Sequence, residues 1–187
     1  MRTDKIYWLD KSHGNTFEKQ FLQQAEDFIA HLNMTCYAGI NDYEFHYAVY
    51  EEGSFYKRHK DQFKTDSNRK YSLITYLNDN WLQTDGGQLD VYREETVQHI
   101  LPHAQTAVFF RSDETEHEVT PANRSRMSIS GWLNRTWSKQ EHKLNQPDLN
   151  DNNFVFTNRK CNLMVYKICQ VYFYEHQETV NSVYAFY

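Results

Sequence analysis

Glycine and proline are scarce, six and three in 187 residues. That excludes a collagen-like, low-complexity or loop-dominated chain. Cysteine is also rare: Cys36, Cys161 and Cys169 are odd in number and lack paired spacing. They build neither a disulfide framework nor a zinc finger, and they suit a reducing compartment. There is no basic excess, since 20 Lys and Arg stand against 25 Asp and Glu for a net charge of −5. Nucleic acid is therefore not the expected partner. No long apolar run exists either. The longest leaning that way, NLMVYKICQVYFY at 162–174, is interrupted by Lys167 and Gln170, so no membrane span is expected. The first residues, MRTDKIYWLDKS, carry no apolar core of the secretory kind. The expectation is a soluble, cytoplasmic protein.

What is present is aromatic. Hydrophobic residues make up 40% and aromatics 16%, enough for one domain with a buried core. Residues 15–33 read as an amphipathic helix. Phe17, Phe21, Ala25, Phe28, Ile29 and Leu32 recur at three- and four-residue steps, and Asn15 with Glu18 forms a capping-box start. A short strand, KIYWL, precedes it. From residue 43 the period becomes strand-like in YEFHYAVY, KYSLITYLN, GQLDVY, VQHIL, TAVFF and RMSISGWL. TDGGQ at 84–88 marks a turn between two of these strands. The predicted fold is mainly β with a helical buttress, an antiparallel sandwich or barrel. After Trp137 a polar, Asn/Asp/Pro-rich connector leads into a Tyr-rich segment. The expected division is a domain over 1–137 and an extension of unknown role over 138–187.

Within YKRHKDQF (56–63), His59 and Asp61 are two residues apart. In extended backbone they point the same way and suit a borderline divalent metal. A pair alone is more often a solvated loop, so a third ligand is needed, and His117 is the candidate. Farther on, Arg126, Ser128, Ser130 and Trp132 share one face of a strand. An arginine leading an inward row requires an anion, which its planar fork fits in bidentate fashion. Ser72, Ile74 and Tyr76 share a face of YSLITYLN, setting a hydroxyl beside an apolar wall. Taken singly, each of these residues reads as core or surface; the order His-x-Asp, Tyr, His, Arg along successive strands reads as a site.

FHYAVYEEGSFYKRHKD, YSLITYLNDNW, DGGQLDVY and AVFFRSDETEHEVTPANRSRMSISGW, over about 43–135, resemble the prolyl 4-hydroxylase-like branch of 2-oxoglutarate- and Fe(II)-dependent dioxygenases. The resemblance implies a double-stranded β-helix, or jelly roll. It also implies Fe(II) on His59, Asp61 and His117, with 2-oxoglutarate and O2 as co-substrates and ascorbate as a reductant. Arg126 and Tyr76 would take the distal carboxylate, with Ile74 lining that pocket, Val119 and Trp132 close to co-substrate and metal, and Ser128 assisting Arg126. Tyr50 and Tyr56 match aromatic positions leading into the His-x-Asp segment. Arg111 stands where animal enzymes carry an aromatic residue. The implied activity is hydroxylation of an unactivated C–H bond, of a prolyl residue in an intracellular protein such as a translation factor. Segment 62–70 would serve as a lid. Alternatives left open are a free amino acid or another side chain as acceptor, a zinc hydrolase, and a jelly-roll module that binds ligands without turnover.

Overall fold

A computed structural model describes residues 1–62, 67–136 and 164–166. Strand β1 (Lys5–Trp8) is followed by helix α1 (Thr16–Cys36). Next come β2 (Asp42–Tyr50), β3 (Tyr56–His59), β4 (Arg69–Tyr76), β5 (Leu89–Arg93) and β6 (Thr96–Ile100). The series closes with β7 (Ala107–Arg111), β8 (Glu116–Val119), β9 (Arg126–Asn134) and β10 (Met164–Tyr166). One sheet runs β1-β2-β9-β4-β7-β10 and the other β3-β8-β5-β6. Every strand pair is antiparallel. This is the mostly β architecture with one helical buttress expected of a jelly roll.

The helix begins where its cap predicts. Asn15 Oδ1 accepts from the backbone N–H of Phe17 and Glu18, and Glu18 Oε2 accepts from the N–H of Asn15. It runs past residue 33 to Cys36 and stops at Tyr37, whose φ of 52° is left-handed. Leu22, Ala25 and Leu32 are buried, with Phe21, Phe28 and Ile29 packed beside them. Phe17 departs from expectation, being 80% exposed. It lies eight residues from Ala25, a rotation of about 80° off the buried stripe.

The helix covers one face of the larger sheet, where Phe45, Leu73, Phe109, Ile129 and Leu133 form a buried apolar cluster. Gly131 belongs to this face. A Cβ there would come within 2.2 Å of both the Glu44 carbonyl and the Phe45 ring, so only glycine lets β2 pack so closely. The opposite face, with β5 and β8, encloses a second cluster that includes Ile74, Tyr76, Leu89, Val91 and Val119. The expected turn at TDGGQ is a 3-10 turn, Gln83–Asp85, followed by Gly86 and Gly87 at φ near 65° and 62°. No helix among the described residues is long and apolar enough to cross a membrane. The expected connector, most of the extension, and residues 63–66 of the expected lid lie outside the described residues. Strand β10 pairs with β7 along the edge of the larger sheet.

Candidate active site

Strands β3 and β8 pair so that His59 lies directly opposite His117. Side chains facing across such a pair are close enough to share an ion, and the two rings are 4.3 Å apart. Asp61 follows β3 by two residues, on the same side. Its Oδ1 is 3.3 Å from His59 Nε2 and 3.7 Å from His117 Nε2. One ligand atom from each of the three residues lies within 4.8 Å of the others.

Both imidazoles are oriented by the same local device. His59 Nδ1–H donates to the Lys57 carbonyl at 2.7 Å, and His117 Nδ1–H to the Thr115 carbonyl at 3.2 Å. A carbonyl can only accept, so Nδ1 carries the proton and the Nε2 lone pair is left facing the cluster. His59 Nε2 is buried with no hydrogen-bond partner. Tyr56 stacks on the His59 ring at 3.5 Å and 17°. Burial pushes the His117 pKa down against the pull of Asp61, keeping the ring neutral as a ligand must be.

Asp61 is held from the other sheet. Ser72 Oγ on β4 donates to Asp61 Oδ2 at 2.6 Å, with Ser112 Oγ 2.8 Å from Ser72 Oγ. Burial alone would raise the Asp61 pKa. The nearby His117 and His59 and the hydrogen bond from the Ser72 hydroxyl outweigh it and hold the carboxyl well below the usual range. Two imidazoles with Nε2 turned inward and one ionised carboxylate on one side of a prospective ion are the donor set of a non-haem Fe(II) centre with open positions. The partnerless His59 nitrogen is the observation that tests the fit, and these residues fit such an ion.

Arg126 opens β9 and is 1% exposed. Its Nε donates to the Gly87 carbonyl at 2.8 Å, and its guanidinium lies about 5 Å from the rings of Tyr50 and Tyr76. Among the described residues no carboxylate pairs with it. A buried guanidinium so placed is an anion site. Gly87 makes room, since a Cβ there would reach 3.2 Å from Arg126 Cδ and 2.8 Å from Ala122 Cβ. The Tyr76 hydroxyl is buried without a hydrogen-bond partner, a free donor beside that guanidinium. Ile74 and Val119 are 9% and 6% exposed and apolar, and both line the same pocket as Arg126 and the three ligand candidates. Trp132 lines it too, under the guanidinium of Arg69 at 3.4 Å. Ser128 is buried on the same face, its Oγ 3.1 Å from Ser130 Oγ. Arg111 lies away from the ligands, paired with Asp113 and Glu114.

Two contributions were not read from the sequence. Ser72 was placed on the inward face without its bond to Asp61, and the strand alternation is the signal that could have found it. His46, buried in β2 and lining the pocket, shares the parity of Ala48 and Tyr50.

Residues 45–134 match the model of the 2OG-Fe(II) oxygenase superfamily. The chain is 36% identical to a prolyl-4-hydroxylase from Pseudomonas putida, with a TM-score of 0.69 over 73% of this chain and 74% of that one. A prolyl hydroxylase solved in complex with a hypoxia inducible factor peptide fragment from Trichoplax adhaerens gives a TM-score of 0.67 at 29% identity, over 79% and 68%. Among curated proteins, the prolyl 3,4-dihydroxylase OGFOD1 of Ostreococcus tauri is 36% identical over 115 residues, 52% of this chain and 21% of that protein. Egl nine homolog 1 of Homo sapiens is 31% identical over 152 residues, 71% of this chain and 33% of that protein. The chain thus spans a third or less of these two curated relatives. Identity and fold coincide over the strands that carry the ligand cluster and Arg126, and on that ground the chain belongs to the 2OG-Fe(II) oxygenase superfamily, whose members use Fe(II), 2-oxoglutarate and O2.

Proposed function

We propose that this chain hydroxylates a prolyl residue of a protein or peptide, with Fe(II) held by His59, Asp61 and His117 and 2-oxoglutarate anchored by Arg126. The observation that carries the reading is the buried Arg126, unpaired with any carboxylate among the described residues and lining one pocket with the three ligand candidates. When bound, iron couples O2 reduction to the decarboxylation of 2-oxoglutarate and the hydroxylation of a C–H bond. The rest is supplied by the chain. The Lys57 and Thr115 carbonyls fix both imidazoles with Nε2 inward. Ser72 keeps the Asp61 carboxylate turned to the ion. Arg126 and the Tyr76 hydroxyl take the distal carboxylate, and Ile74, Val119 and Trp132 exclude water around it. Ser128 supports the Arg126 end of the same wall.

The prolyl acceptor is supported by relatives named as prolyl hydroxylases, one of them holding a peptide. The finer reading, a translation factor as acceptor and ascorbate as reductant, rests on the family resemblance alone, and a cytoplasmic setting on the few, unpaired cysteines. We assign the activity to residues 1–137, with 138–187 as an extension. The test is anaerobic titration of metal-free protein with Fe(II) and 2-oxoglutarate. A visible metal-to-ligand charge-transfer band should appear in the wild type and vanish in His59→Ala. Prolyl peptides should then gain one oxygen atom by mass. Metal binding without the band would move a zinc hydrolase or a non-catalytic module ahead.

A further inference from the structure

The site-facing side chains of the larger sheet fall into cross-strand rows. Glu44, Trp132 and Ser72 form the first, and Ser72 holds Asp61. His46, Ser130 and Ile74 form the second; Ala48, Ser128 and Tyr76 the third; Tyr50 and Arg126 close the series. Successive rows are two residues, about 6.6 Å, apart along the strand. A co-substrate with one end at the ligand cluster and its distal carboxylate at Arg126 must pass the second row. Ile74 offers that row only apolar surface, and Ser130 Oγ already faces Ser128 Oγ at 3.1 Å.

His46 is the remaining group, and its hydrogen-bonding capacity is unused. The side chain is 2% exposed, Nδ1 is buried without a partner, and among the described residues nothing holds the ring by a hydrogen bond. The ring is nonetheless fixed by packing against Trp8 at 4.9 Å and Trp132 at 5.3 Å, which also touch each other. Leaving such a group unpaired carries the desolvation penalty of a buried polar atom, which a ligand in the pocket would relieve. Burial, with the nearby Arg2 and Arg69, keeps the imidazole neutral, so it has one N–H to donate. The carboxylate and keto oxygens at the metal-binding end of 2-oxoglutarate are acceptors only.

Resting on the co-substrate reading above, we propose that His46 is a further 2-oxoglutarate contact, donating a ring N–H to an oxygen at the metal-binding end. Ile74 across the row supplies the apolar wall, and Trp8 and Trp132 hold the donor in place. Loss of the donor weakens 2-oxoglutarate and leaves the ion, which His46 does not ligate, unaffected.

The experiment is calorimetric titration of 2-oxoglutarate into the full chain loaded with Mn(II) as a redox-inert stand-in, for wild type, His46→Leu and His46→Asn. The expected result is about tenfold weaker 2-oxoglutarate binding in His46→Leu, Mn(II) affinity unchanged, and His46→Asn, which keeps a donor, within about threefold of wild type. Equal binding in wild type and His46→Leu overturns the proposal. So does equal weakening in both variants, which would mean that only ring volume matters. Wild-type protein that binds Mn(II) but no 2-oxoglutarate overturns the co-substrate reading itself, and this proposal with it. Should His46→Leu not fold, the ring signals of His46 in wild-type, Zn(II)-loaded protein decide by nuclear magnetic resonance. A shift on adding 2-oxoglutarate supports the contact, and an unmoved ring overturns it.

Discussion

Alternate residues of β2, β4 and β9 face either α1 or the candidate site, so one set of backbones serves two interiors. On the helix side Phe45, Leu73, Ile129 and Leu133 are apolar and pack against α1. On the site side the same strands bury His46, Ser72, Tyr76, Arg126 and Ser128. The first interior is held by area removed from water and close packing. In the second, His46 Nδ1 and the Tyr76 hydroxyl are buried without partners, and partial satisfaction of this sort is destabilising. Stability is thus concentrated on one face and chemistry on the other.

Substitutions on the two faces should therefore separate function from folding. The largest effect is expected of Asp61→Ala, which removes the only anionic donor of the cluster. Fe(II) binding and turnover should fall to background while the metal-free melting temperature holds, as calorimetry and a 2-oxoglutarate decarboxylation assay will show. Leu133→Ala, at a fully buried helix-side position, should lower unfolding free energy by about 2–5 kcal/mol and leave metal affinity unchanged. If it weakened metal binding as much as stability, the two faces would be one cooperative unit. Arg126→Ala should raise the 2-oxoglutarate requirement by about a hundredfold, the size expected for losing a charge-assisted pair, with far less effect on iron affinity. Equal loss of both would remove the anion-site assignment. Ser72→Ala should weaken the metal about tenfold, as loss of a partner that orients a ligand does.

The smallest effect is on pH dependence. Burial moves the His46 pKa from its ordinary 6.5 to about 4 in the folded protein. Folding therefore favours the neutral ring. Its stabilisation is complete above about 6.5 and fades as pH falls toward 4. The melting temperature of metal-free protein should drop across that window, and the drop should be shallower in His46→Leu.

Much of this division could be read along the chain. The helix announced itself through Asn15 and Glu18, because capping is local chemistry. The ligand types were legible because His, Asp and Arg are recognisable wherever they fall. Strand alternation put Ser72, Ile74 and Tyr76 on one face, and Arg126, Ser128 and Trp132 on another, without the fold. Register across strands was not legible. That His59 opposes His117, or that Ser72 reaches Asp61, depends on pairings between residues 58 and 11 positions apart. His46 was hidden for a related reason: in YEFHYAVY it looks like one more strand residue until Trp8, Trp132 and Ser130 surround it.

The orientation of the two histidines has a consequence for how this sequence can drift. The groups that hold them are main-chain carbonyls, two residues upstream in each case. Every amino acid supplies that carbonyl, so positions 57 and 115 can change side chain without releasing the imidazoles. Selection has nothing to conserve there beyond the strand itself, and the tautomer lock is immune to point mutation in a way that the Ser72 hydroxyl is not.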